Sequence, residues 1–300
     1  MLAVTILGNN SAVPAYDRHP TAQVVTLDEF LFLVDCGEGT QMQMAKYKIR
    51  RSRIQHIFIS HLHGDHYFGL IGLITSLGLL GRDAPLHLYA PAALEQLIQL
   101  QLKVADTALP YPLHFHPLEA GPVLVSNDRF KVLCFPVSHR IPCWGFRFEQ
   151  IKAPRRLNPD KARAHEVPSH FYDRLKWGED YTTKDGKHIP NDWVTEPAAK
   201  GKVYAYSADT CYNDSLIEQV KGADLLYHET TYLKDLAERA AFRYHCTTHQ
   251  AASIAQQAGV GRLLIGHFSS KYEKLDQFET EAKEVFPNTS LAIEGVSYRV

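Results

Sequence analysis

Apolar residues in this chain come in short β-branched runs that alternate with longer amphipathic stretches. Runs at Ala3 to Leu7, Gln23 to Leu27 and Phe30 to Val34 predict β-strands, the first followed by a loop of Gly, Asn, Ser and Pro from Gly8 to Pro14. Ile54 to Ser60 (IQHIFIS) has the character of a buried parallel strand, and Tyr67 to Leu80 (YFGLIGLITSLGLL) predicts a mostly apolar helix. The pattern then predicts a strand at Leu86 to Tyr89, a helix from Ala92 to Val104 opened by Pro91, and strands at Val123 to Val125 and Phe130 to Val137. A second series follows at Val203 to Ser207, Ser215 to Val220, Leu225 to His228, Thr248 to Ala258 and Arg262 to His267, closed by a strand pair near Ser290 to Val300. Between the series, Ile151 to Lys200 carries five prolines, many charges and little periodicity apart from a short helix at Ser169 to Lys176. Strands before helices on both sides of this segment predict an α/β fold, an αβ/βα sandwich of two similar halves. The expected organisation is a single domain, 1–300, with an inserted arm at 151–200.

Three hundred residues with 45% hydrophobic content suffice for a large core. MLAVTILG lacks a basic n-region, and the longest apolar segment, Tyr67 to Gly81, falls short of the roughly 20 residues that span a bilayer. A cytoplasmic protein without membrane attachment is expected. Five cysteines without a CxxC pair argue against a disulfide framework. The net charge of −1 conceals an uneven distribution: Arg140 to Lys176 holds nine basic residues against four acidic ones, and Lys46 to Arg53 holds five cations in eight residues. Either cluster suits phosphates, although a single charge run is more often a solvated face.

The densest chemistry is His61-Leu62-His63-Gly64-Asp65-His66, four liganding side chains in six residues at a strand-to-helix turn. His61 and His63 project together from extended backbone, and Gly64 permits a turn that swings Asp65 and His66 toward a neighbouring position. Such ligands suit zinc, while manganese and iron accept the same types. Three more candidates follow strands: His139, Asp209 and His267. Placing His61, His63 and His139 on one metal, Asp65, His66 and His267 on the other, and Asp209 between them gives each ion four protein ligands. A paired centre of this kind generates a nucleophile at neutral pH and clamps an in-line displacement. His228 and Glu229 close a strand and either brace the ligands by hydrogen bonding or simply end the strand. His245 precedes a helix for which Thr247 or Thr248 is an N-cap, a setting suited to gripping and protonating a phosphate.

With these residues in place, the chain resembles the metallo-β-lactamase superfamily and, within it, the ribonuclease Z family, over nearly its whole length. The discriminating parts are Asp35-Cys36-Gly37-Glu38-Gly39-Thr40-Gln41, Ser60 to His66 with Gly69-Leu70, Ser207-Ala208-Asp209-Thr210, His228-Glu229-Thr230-Thr231 and His245-Cys246-Thr247. The resemblance implies a zinc-dependent endoribonuclease with two Zn2+ per subunit. Such an enzyme removes the 3′ trailer from precursor tRNA by metal-hydroxide attack on a phosphodiester, leaving a tRNA 3′-hydroxyl. It further implies that Asp65 accepts a proton, that His245 acts near the scissile phosphate, and that the 151–200 arm is a tRNA-binding exosite in a homodimer. Thr247, Arg155, Arg156 and Lys176 are the expected substrate contacts. The chain departs from the family pattern at Ala208, commonly glycine, at Gly8-Asn9-Asn10, and at Val167-Pro168-Ser169, where a Gly-Pro step is usual.

Two competing readings share most of these residues: a small-molecule phosphodiesterase or thioesterase of the same fold, and a non-catalytic RNA-binding member. The basic, proline-rich arm favours a nuclease over a small-molecule hydrolase, and the complete ligand set with Asp65 speaks against a binding module.

Overall fold

Two seven-stranded sheets face each other across a core of aromatic side chains. The computed structural model describes residues 1–198 and 200–300; Ala199, within the expected arm, lies outside the described residues. The first sheet runs Ser297–Arg299, Leu2–Gly8, Ala22–Leu27, Phe30–Val34, Ile54–Phe58, Leu86–Ala90, Leu113–Pro117. The second runs Thr289–Leu291, Leu263–Gly266, Leu225–Glu229, Val203–Tyr206, Trp144–Gln150, Phe130–Pro136, Val123–Ser126. Each is antiparallel in one half and parallel in the other. Parallel neighbours need crossovers, and helices supply them: Thr40–Lys46, Leu70–Leu79 and Ala93–Val104 on the first sheet, Ser215–Val220, Thr248–Gln257 and Asp276–Val285 on the second. This is the expected αβ/βα sandwich.

Alternation along the strands divides the apolar residues into three layers. Phe32, Phe58, Phe130, Phe146 and Phe148 fill the space between the sheets, with Phe58 to Phe146 and Phe32 to Phe148 ring centroids 5.5 Å apart. All five are buried, and each such side chain contributes about 1.5–3 kcal/mol. Leu33, Ile57 and Leu88 face the first helix layer, and Leu226, Leu263 and Ile265 face the second. Among the described residues, no helix is long and apolar enough to cross a membrane.

Several elements differ from expectation. The apolar run after the histidine cluster is split into a turn of helix, Gly64–Tyr67, and the helix Leu70–Leu79. The Gly69 N–H leaves the helical ladder for the Cys36 carbonyl at 2.9 Å. The two terminal strands do not pair with each other: Thr289–Leu291 lies parallel to Leu263–Gly266, whereas Ser297–Arg299 crosses to the first sheet beside Leu2–Gly8. The chain turns between them at Gly295, φ +82°, so its end ties the two sheets together. Leu113–Pro117, Trp144–Gln150 and the helix Ala237–Arg243 were not foreseen.

The segment between Trp144–Gln150 and Val203–Tyr206 forms a small cluster of its own from Ala162, Val167, Phe171, Leu175, Ile189 and Val194. Its expected short helix is present as Ser169–Phe171 and Tyr172–Lys176, joined by a further helix, Pro159–Ala164, capped by the Asn158 side chain. Asn191 Nδ2 donates to the carbonyls of Leu175 (2.6 Å) and Glu179 (3.0 Å), which pins the segment internally.

A Cβ at Gly69 would stand 2.3 Å from the Gly37 carbonyl oxygen, a backbone atom with no freedom to yield. Gly69→Ala is expected to cost about 1–3 kcal/mol of stability, measured by urea denaturation.

Candidate metal centre

Seven side chains meet at one rim of the sandwich, carried on turns that leave strand ends. Such turns place backbone polar groups and side chains in the open beyond the sheet. His61, His63, Asp65 and His66 follow Ile54–Phe58; His139 follows Phe130–Pro136; Asp209 follows Val203–Tyr206; and His267 follows Leu263–Gly266. Sharp exits require unusual backbone, and Asp35 (φ +55°), Ala208 (+56°) and His267 (+61°) all adopt the left-handed conformation.

The side chains form two groups of four that share Asp209: His61, His63, His139 and Asp209, and Asp65, His66, His267 and Asp209. In the first, His63 Nδ1 is 3.1 Å from both His61 Nε2 and His139 Nε2, and Asp209 Oδ2 is 3.7 Å from His61 Nε2. In the second, Asp209 Oδ2 is 3.3 Å from His66 Nε2, and Asp209 Oδ1 is 3.3 Å from His267 Nε2. Asp65 Oδ2 lies 3.6 Å from His66 Nε2 and 3.4 Å from His267 Nε2. Tetrahedral ligation at about 2.0–2.1 Å separates ligand atoms by roughly 3.3 Å, so these spacings fit metal ions. His66 Nε2 is buried without a hydrogen-bond partner among the described residues, as a nitrogen reserved for a cation would be.

The opposite ring nitrogens are held from behind. His61 Nδ1 meets Ser60 Oγ at 3.0 Å, His66 Nδ1 meets Asp35 Oδ2 at 2.8 Å, His139 Nδ1 meets the Tyr244 carbonyl at 2.9 Å, and His267 Nδ1 meets Thr231 Oγ1 at 3.0 Å. Such partners fix the tautomer and aim Nε2 inward. Asp35 is the hub, since its carboxylate also accepts from Ser60 N (2.7 Å), Ser60 Oγ (2.9 Å) and the Tyr206 hydroxyl (2.6 Å).

Burial disfavours charge throughout the cluster, and the shared charges decide who carries it. Burial and the surrounding histidines hold His63 down at about 4. Burial opposes ionisation of Asp209, but His267 and His66 hold its carboxyl well below the usual range. Asp65 is likewise ionised, burial being overridden by His66 and His267.

His245 is placed by Glu229. The Glu229 carboxylate receives the amides of Cys246 (2.8 Å) and Thr231 (2.9 Å) and the Thr231 hydroxyl (2.8 Å), and it lies 3.1 Å from His245 Nδ1. Burial alone would discharge the imidazole, but Glu229, with Asp209 and Asp65 behind it, lifts it to about 9. The ring faces an open cleft of about 440 Å³ that also borders His63, Asp65, His139 and Asp209. Arg140, Arg239 and Arg243 line the same cleft, and the Arg140 guanidinium stands 3.0 Å from His63 Nε2.

Some expected site residues lie elsewhere. His228 is on the opposite face of its strand from Glu229 and bonds only the Glu229 carbonyl, at 2.6 Å, so it does not brace the cluster. Thr247 is buried and caps the helix Thr248–Gln257 in a reciprocal pair with Gln250, which removes its hydroxyl from the cleft. Arg155 is turned into the arm, where its Nε donates to Thr195 Oγ1 at 2.7 Å. Lys176 is paired with Asp173 at 3.0 Å, while Arg156 is exposed and 4.0 Å from Glu196. Asp35, Arg239 and Arg243 were not expected at the site, whereas Arg140 belongs to the basic run expected to suit phosphates. Asp35 sits in the Asp-Cys-Gly-Glu-Gly-Thr run, and Arg239 and Arg243 are four apart on a helix whose apolar pattern is weak.

Two outcomes follow from this geometry. Because Ala208 holds a left-handed backbone at about 1 kcal/mol or more, Ala208→Gly is expected to raise stability by up to about 1 kcal/mol in urea denaturation. In the metal-free protein the His245 ring should titrate near 9, and Glu229→Gln should bring it down, as read by NMR of the ring protons. With the folded value raised, the stabilisation is fully present below the ordinary 6.5 and is lost as pH rises through about 9.

A family profile described as Anti-Pycsar protein Apyc1 matches residues 2–116, a span that contains His61 to His66 but not His139, Asp209 or His267. The metallo-β-lactamase fold protein YhfI from Bacillus subtilis superposes with a TM-score of 0.70 at 20% identity, covering all of both chains. Human tRNase Z, short form, superposes with a TM-score of 0.70 at 25% identity over 99% of each chain. Ribonuclease Z of Bacteroides thetaiotaomicron is 45% identical over 293 residues, 97% of this chain and 93% of that protein. With the two donor groups and the sandwich that carries them, identity sustained over nearly the full length of both proteins means that the chain belongs to the ribonuclease Z family.

Proposed function

We propose that the protein is an endoribonuclease that removes the 3′ trailer from precursor tRNA and uses a pair of zinc ions to do so. The observation that carries this reading is the meeting of two four-residue donor groups, sharing Asp209, at the foot of an open cleft bordered by three arginines. Two bound zinc ions would supply Lewis acidity and activate water at neutral pH. His61, His63 and His139 would hold one ion, Asp65, His66 and His267 the other, and Asp209 both.

The rest of the chemistry belongs to side chains. Water attacks phosphorus and the bond from phosphorus to the tRNA O3′ breaks, so one proton must be taken from the water and one given to O3′. Asp65, ionised and at the cleft wall, takes the first; His245, charged by Glu229, gives the second. The tRNA keeps a 3′-hydroxyl. Arg140, Arg239 and Arg243 receive neighbouring phosphates, and the 151–200 arm holds the tRNA body away from the cleft.

Two further features support details of this reading. Met42, Phe68, Leu79, Leu80, Leu100 and Val104 are exposed on or beside the helices of the first sheet, a surface suited to a homodimer. The five cysteines are all free, consistent with work in a reducing cytoplasm.

End-labelled precursor tRNA tests the proposal. A single metal-dependent cut at the 3′ side of the acceptor stem is expected, abolished in Asp65→Ala and slowed by about 10²–10⁴-fold in His245→Asn. Absence of a cut by a metal-loaded protein that still hydrolyses a simple diester or thioester would move the function to small molecules. Glu149 and Val203 are paired neighbours, so a short turn can replace the arm. That deletion is expected to lose tRNA affinity while keeping small-diester hydrolysis, and unchanged affinity would remove the arm from the reading.

A further inference from the structure

Away from the cleft, four histidines share one face of the first sheet. His56 stands opposite His87, and His87 opposite His114, on three adjacent parallel strands, and His116 lies two residues beyond His114 against Tyr89. Their rings form a stack: His56 to His87 is 5.1 Å, His87 to His114 is 5.0 Å, and His87 to His116 is 5.2 Å between centroids. His87 Nδ1 and His116 Nε2 are 3.0 Å apart. Among the described residues none of the four is ion-paired with a carboxylate, and His56 Nδ1 is buried without a partner. Burial, reinforced by the neighbouring histidines, holds His56 at about 4 and lowers His87 and His116, which favours the neutral rings whose lone pairs can bind a metal.

Packing does not ask for imidazoles here. Neighbouring positions on this face are Phe32 and Phe58, which fill space without leaving a polar atom to satisfy, and Tyr89. The 3.0 Å approach of His87 and His116 matches the 3.1 Å spacing of His63 from His61 and His139 in the cleft. His114, on the edge strand and exposed, keeps its ring centroid 5.0 Å from that of His87.

We propose that His87 and His116, with His114 as third donor, form a separate site for one divalent transition-metal ion, with solvent completing its coordination. An all-imidazole donor set selects zinc, nickel or copper over magnesium or calcium. The site does not depend on the reading of the cleft.

Equilibrium dialysis of the zinc-loaded protein against nickel tests it. The wild type should take up one equivalent of nickel that His87→Ala/His116→Ala does not, with diester hydrolysis unchanged. His114→Ala, an exposed change that leaves the core intact, should weaken this uptake by about tenfold. The copper-loaded site should show coupling to at least two imidazole nitrogens in its paramagnetic resonance spectrum. Equal nickel uptake by wild type and double variant, or unchanged affinity in His114→Ala, would overturn the assignment and leave a hydrogen-bonded pair. If the double variant does not fold, the His114→Ala affinity and the copper spectrum decide.

Discussion

A fully buried carboxylate holds this architecture and its chemistry in one place. Asp35 leaves the end of Phe30–Val34 and takes hydrogen bonds from the backbone and hydroxyl of Ser60, from His66 and from Tyr206. Ser60 precedes the histidine cluster and Tyr206 belongs to the opposite sheet, so a single anion fastens the two halves at the rim where their turns converge. Burying a charge is costly unless all its lone pairs are met. Here four donors meet it, and one of them is a ring whose other nitrogen is buried without a hydrogen-bond partner among the described residues. The stability of the sandwich and the aim of His66 therefore rest on the same group.

Glu229 repeats the arrangement on the second sheet. It gathers Thr231, Cys246 and His245, and through Thr231 it reaches His267. Each half thus contributes one buried carboxylate that orients a histidine from behind, and Asp209 faces both groups from between them. The left-handed residues at the strand ends belong to this design: backbone that turns abruptly brings side chains from four separate strands to one point, and the packed sheets bear the strain.

The sequence was most legible where chemistry and chain order coincide. His61 to His66 are consecutive, and His139, Asp209 and His267 each follow an apolar strand closely, so local pattern suffices to bring them together. It fails where a side chain has two uses. The Thr247 hydroxyl can cap a helix or face a ligand, and only the fold shows that it caps. Arg155 reads as an exposed cation until Thr195, forty residues on, is seen to take its donor. Trp144–Gln150 does carry a strand's alternation, Trp144, Phe146 and Phe148 against Gly145, Arg147 and Glu149, whereas Leu113–Pro117 is hard to read because histidines stand where aliphatic residues mark a strand. Arg239 and Arg243 needed a helix that their own segment barely signals.

The position of the arm has an evolutionary meaning. It leaves and rejoins the sandwich between two strands that are hydrogen-bonded to each other, and it carries its own apolar cluster. It touches the layers beneath at a few points, such as Arg129 over the Trp177 ring, and none of the seven clustered side chains lies within it. Change within the arm therefore leaves the clustered side chains where they are.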